Sequence, residues 1–167
     1  MTSNTFIRIR NFIILALIQV LIFSQIHLFG YATACIYLIF LLKLPRHTNR
    51  NELLIWGFFF GLAVDIFTNT PGINAAAATI MCFVRNAILS QFIPKSIPDD
   101  LTPAAKSLTW GGYLMYATIC IAIFYSVLFL IELFTINRPI VLLTGVFAST
   151  LLTMIFVAVT EIFSRTK

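Results

Sequence analysis

Apolar runs of membrane-spanning length follow one another along this chain with little between them, and they set the limits on how it can fold. Six runs are present, at about 11–28, 30–44, 53–68, 73–93, 110–133 and 139–163. Crossing the hydrocarbon core takes about 20 apolar residues in a helix. Inside lipid every backbone N–H and C=O must be bonded within the protein, which leaves helices or closed barrels as spanning forms. Runs of this length, continuous rather than alternating, predict helices. Composition agrees: 60% of the 167 residues are hydrophobic and 10% are charged, against about 25% charged in soluble domains. The expected fold is an all-α integral membrane protein of six transmembrane helices, forming one membrane domain over residues 1–167. The longest polar stretch, Pro94–Thr109, is too short for an extramembrane catalytic module.

The basic residues orient the helices. Arg8 and Arg10 precede the first run, and Lys43, Arg46 and Arg50 follow the second. Lys95 and Lys106 follow the fourth, and Arg165 and Lys167 follow the sixth. These are nine of the eleven basic residues, and cytoplasmic segments are the ones enriched in Lys and Arg. Two basic clusters on one side must be separated by an even number of crossings. The first two runs are therefore a hairpin turning at Leu28-Phe29-Gly30 rather than one bent helix, and the bundle is N-in and C-in. Arg8 and Arg10 before an apolar run, with Ala32-Thr33-Ala34-Cys35 after it, resemble a cleavable signal. Apolar sequence continues past that point, so the first run is expected to remain as a helix. The net charge of +5 belongs to helix ends, with no basic face interleaved with aromatics, and no nucleic-acid partner is expected.

The outer turns, 28–30, 69–72 and 134–138, are short, so successive helices are antiparallel neighbours. Pro71 cannot continue the third helix, Gly72 gives a permissive backbone for the reversal, and Pro139 opens the sixth helix. The inner loops hold Pro45, Pro94, Pro98 and Pro103, with a solvated acidic pair at Asp99 and Asp100.

Polar residues inside the runs are few. Gly57, Gly61 and Asp65 repeat at intervals of four and share one helix face. Small residues at that spacing let two helices approach closely in lipid, and Ala75-Ala76-Ala77-Ala78 offers a matching surface. A carboxylate at the bilayer centre costs about 2.5–3.5 kcal/mol on the insertion scale. Asp65 lies roughly 5 Å from the outer end of its helix. It is read either as a cap on the start of the fourth helix, where the dipole favours an anion, or as a partner or ion site. Arg85 is roughly 18 Å inward along the fourth helix, about 13 Å deeper than Asp65, too far for a direct bridge. It is read as snorkelling inward or as paired with Glu161, a better match in depth than Asp65, with backbone carbonyls or with Asn86. Glu132 and Arg138 form an expected interfacial pair. Gln19, Ser24, Gln25 and His27 dot the first run. Cys35, Cys82 and Cys120 have no metal-ligand spacing and read as packing thiols, so no metal or cofactor is expected. Enzyme chemistry has no motif behind it: no second intramembrane aspartate for a dyad, no His-Glu-x-x-His, no nucleophile elbow.

The segment Leu44-Pro45-Arg46-His47-Thr48-Asn49, then Gly57-x3-Gly61-x3-Asp65, then Pro71-Gly72 and an apolar fourth helix, resembles the MreD family of bacterial rod shape-determining membrane proteins. Thr70-Pro71-Gly72 followed by Phe83-Val84-Arg85 resembles its Bacteroidota form; Arg85 is not part of the wider pattern. The specific likeness covers roughly residues 44–93. It implies the inner membrane, an MreC-like partner, and through that partner RodA-like and penicillin-binding synthases and an MreB-like filament. It also implies a compact bundle similar to the substrate-binding membrane subunits of energy-coupling-factor transporters. The expected function is a non-enzymatic scaffold that takes the MreC transmembrane segment in a lipid-facing groove at Gly57 and Gly61. The alternative is a small-molecule transporter or its binding subunit, using Asp65, Gln25, His27 and Glu132 at the outer level.

Overall fold

The computed structural model describes residues 10, 13–15, 17–19, 35–46, 48–93, 103, 108–133 and 139–165. Those of the first run are helical through Gln19. Five helices follow: α1 Leu38–Leu42, α2 Arg50–Thr68, α3 Ile73–Phe92, α4 Trp110–Leu133 and α5 Pro139–Arg165. The last four are long and apolar enough to cross a membrane, and no strand occurs among the described residues. The chain is a multi-pass, all-helical membrane protein. The six-span count and the turn at 28–30 depend on residues outside those described.

Helices adjacent in sequence are adjacent in space, α2 on α3, α3 on α4 and α4 on α5. Their contacts run antiparallel. Gly57 lies against Ala78 and Cys82 while Gly61 lies against Asn74 and Ala75; on the other side of the bundle, Tyr125 meets Thr153 and Gly145 meets Phe129. Pro139 is the first residue of α5, where its missing N–H costs no helical bond.

The second run departs from the expected helix over 30–44. Within the described residues it is helical only at Leu38–Leu42, and Cys35, Ile36 and Tyr37 before it are not helical. This short α1 touches α2, α3 and α4, and Leu38, Leu41 and Leu42 are wholly buried. Over the described residues of this run, continuous hydropathy marks a buried element packed against three helices. Interrupted backbone is tolerated at membrane depth only where protein surrounds it and bonds its polar groups. Here protein supplies those bonds. Cys35 N–H donates to Tyr125 Oη (3.1 Å) and Thr153 Oγ1 (3.4 Å), and Ile36 N–H donates to Gln19 Oε1 (2.7 Å).

Aromatic rings fill the space around α1. Tyr37 stacks on Phe60 at 5.6 Å between centroids and meets Phe124 edge-on at 6.0 Å; Phe40 packs against Trp56 and Phe60. The opposite faces of the long helices point outward with large apolar side chains, among them Phe59, Ile66 and Phe67 on α2 and Phe147, Leu151, Ile155 and Phe163 on α5. In lipid that exposure carries no hydrophobic cost.

Candidate functional site

The residues singled out by sequence fall into two clusters, the α2–α3 hairpin and the C-terminal end of α1. The hairpin begins where α2 stops. Asn69 is left-handed (φ 56°, ψ 35°), and its N–H reaches back to Asp65 O. Thr70 N–H also donates to Asp65 O, at 3.2 Å. Asn is one of the few residues that visits this conformation readily. Gly72, at φ 79°, then takes the N-cap position of α3, where it has no side chain to bond the first amides.

Asp65 supplies that cap from the preceding helix. Its Oδ1 accepts from Asn74 N–H (3.0 Å), Asn74 Nδ2 (3.0 Å) and Thr70 Oγ1 (2.7 Å), and its Oδ2 accepts from Ala75 N–H (2.9 Å). Asn74 and Ala75 are the second and third residues of α3, the amides that an N-cap side chain ordinarily satisfies. One carboxylate spans both, and its charge sits at the positive end of the helix dipole. Thr68 Oγ1 donates to Val64 O (2.9 Å) and shares a 2.8 Å hydrogen bond with Thr70 Oγ1, which extends the network across the turn. Asp65 is 4% exposed, so these bonds stand in for water.

The cap works only if α2 and α3 come together, and the glycines permit this. A Cβ on Gly61 would lie 2.5 Å from Ala75 N and from Asn74 O; one on Gly57 would lie 2.7 Å from Cys82 Sγ and 3.1 Å from Ala78 O. Both glycines are buried. The expectation of a lipid-facing groove at Gly57 and Gly61 is therefore corrected: α3 of the same chain already fills that face. Pro71 and Gly72 are exposed at the tip of the turn. They border an open depression of about 430 Å³ lined by Leu62, Asp65, Ile66, Asn69 and Thr70, but both Asp65 carboxylate oxygens are already engaged.

The second cluster holds Arg85, which is wholly buried. Its Nη2 donates to Leu42 O at 2.9 Å and to Leu44 O, and its Nη1 donates to Asn86 Oδ1 at 2.9 Å. Tyr116 Oη donates to Leu42 O as well, at 3.3 Å. These carbonyls close the C-terminal end of α1, where a cation meets the negative end of the backbone dipoles. Glu161, a candidate partner for Arg85, instead makes an ion pair with Lys43 at 2.8 Å. Glu161 is 3% exposed and Lys43 29%. Lys43 is the residue that follows α1, so α3, α4 and α5 all hold the same end of that short helix.

Arg85 and Asp65 do not bond to each other; Asp65 is bound by the amides that begin α3, and Arg85 by the carbonyls that end α1 and by Asn86, with its Nε left unpartnered among the described residues. Glu132, near the end of α4, is half-buried; its expected partner Arg138 lies outside the described residues, as do Gln25 and His27. Sequence reasoning missed Tyr125 and Thr153, and it saw in Gln19 only a scattered polar residue. Their common signal is a hydrogen-bonding group within an apolar run. Among the described residues no cluster of three or more His, Cys, Asp or Glu could hold a metal ion.

No protein-family model matches this chain, no curated protein matches it, and no solved structure matches it.

Proposed function

We propose that the chain is a non-enzymatic scaffold in the bacterial inner membrane, part of the cell-wall elongation machinery. In this reading it holds an MreC-like protein, and through it RodA-like and penicillin-binding synthases and an MreB-like filament. The observation that carries the reading is the construction of residues 44–93, the segment that resembles the MreD family. Leu44 O receives Arg85, the Gly57/Gly61 face seats α3, and Asp65 caps α3 across the Pro71-Gly72 turn. The resembling residues make one interlocked unit rather than a set of separate matches.

The charges support a scaffold over a transporter. Asp65, Arg85 and Glu161 each tie two segments together, and a carrier needs polar groups that can exchange these partners for a substrate. A rigid body has no such need. The internal use of the glycine face shifts the MreC contact to another surface of the bundle.

The test is capture of the tagged full-length protein from its own cells in mild detergent, combined with depletion. Co-purification of an MreC-like protein, with rods rounding on depletion, is the expected result. Capture of a pair of ATPase subunits with unchanged cell shape would replace the scaffold by the transporter.

A further inference from the structure

A cation lies exposed on the flank of the hairpin and takes no part in the hydrogen bonds of either cluster. Arg50 opens α2, and its guanidinium carbon stands 3.9 Å from the centroid of the Phe83 ring on α3. Arg50 is exposed, and Phe83 is 53% exposed. Cation–π contact holds a guanidinium over a ring while leaving its N–H donors free for another partner. No salt bridge or hydrogen bond occupies those donors among the described residues.

The surroundings suit an anion with an apolar tail. Asn49, at the N-cap of α2, makes no side-chain bond to the first turn, so the positive end of that helix has no cap from it. Glu52 is the one acid in that turn, and it is engaged in an interaction of its own. One turn from Phe83 toward the start of α3, Ile80 is exposed on the same side, so apolar surface continues along the helix from the cation. Arg46 and Lys43 lie in the preceding residues, which makes this the basic end of the hairpin.

We propose that Arg50, held by Phe83, binds the phosphate of an anionic phospholipid, with an acyl chain lying along Phe83 and Ile80. An arginine fork matches two phosphate oxygens at once, and the lipid tail distinguishes this occupant from free phosphate. The inference rests on the membrane setting of α2 and α3 and is independent of the scaffold proposal.

The experiment is native mass spectrometry of the purified full-length protein in detergent, titrated with phosphatidylglycerol or phosphatidylcholine. The expected result is preferential retention of phosphatidylglycerol, reduced about fivefold in Arg50→Gln, the loss expected on removing one basic group facing anionic lipid. Arg50→Lys should keep part of the binding, and Phe83→Leu should weaken it with the charge intact. Arg165→Gln, a basic residue elsewhere, should leave it unchanged. Equal retention of the two lipids, or equal phosphatidylglycerol binding by wild type and Arg50→Gln, would overturn the proposal. So would displacement of the lipid by millimolar inorganic phosphate, which would assign the site to the free ion.

Discussion

The two ends of this bundle bury opposite charges by opposite means. At the α2–α3 turn a carboxylate accepts two backbone amides and caps the beginning of a helix. At the end of α1 a guanidinium donates to two carbonyls and caps the finish of another. Neither charge is neutralised by a counter-ion among its hydrogen-bond partners. Each is placed where aligned peptide dipoles supply the opposite sign. The difference lies in range. Asp65 binds residues nine and ten positions ahead, whereas Arg85 binds residues 41 and 43 positions behind. The first arrangement is local to the hairpin; the second joins α3 to a segment distant in sequence.

The largest effect is expected upstream of both charges. Gly61→Leu places a side chain into the backbone of Asn74 and Ala75, where nothing flexible can yield. The helices must separate, and the Asp65 cap opens with them. Overpacking of this kind costs about 1–3 kcal/mol where side chains can shift and more where they cannot. Gly61→Leu should lose its monodisperse peak in size-exclusion chromatography, while Gly57→Ala, which meets first a cysteine side chain, should keep it with a lowered Tm. A folded, stable Gly61→Leu would separate the glycine approach from the cap.

Asp65→Ala comes next. It strands the amides of Asn74 and Ala75, each at a cost of about 1–3 kcal/mol when buried. Asp65→Asn keeps one acceptor oxygen and should fall between the variant and the wild type in thermal unfolding. Arg85→Met should cost less, about 1 kcal/mol, although Arg85 is the more deeply buried. Removing a buried charge recovers its desolvation penalty, methionine fills similar space, and although Leu44 O loses Arg85, Leu42 O keeps Tyr116 as donor. If Arg85→Met proved worse than Asp65→Ala, the Arg85 cap and not the hairpin would be the main fastening of this bundle.

The same contrast in range decides what could be read from the sequence. The membrane class, the four long helices and the close α2–α3 approach were legible because each depends on local spacing. The Asp65 cap was legible as one of two readings, since the carboxylate, the turn and the amides it meets lie within about three helical turns. Arg85 was readable only as a buried cation with three kinds of candidate partner. Carbonyls and Asn86 are the ones it uses, and Glu161 goes to Lys43. The break before α1 gave no signal. Hydropathy reports what a segment avoids, not how its backbone is bonded, so Cys35-Ile36-Tyr37 reads as apolar in either state.

That break also offers the finest test. Cys35 N–H has two acceptors, Tyr125 Oη and Thr153 Oγ1, which are themselves 2.7 Å apart. Tyr125→Phe removes the nearer acceptor and leaves the other in reach, so the loss should be that of one shared hydrogen bond, about 0.5–1.5 kcal/mol. Thr153→Val should cost a similar amount. The double variant leaves the amide with no acceptor in a region that excludes water, and it should cost more than the sum of the two. Such coupling, measured as the departure from additivity in Tm, would show that the interrupted backbone is held by redundant side chains. Strict additivity would mean that each hydroxyl acts alone, and the segment before α1 would then depend on the Arg85 cap for its place.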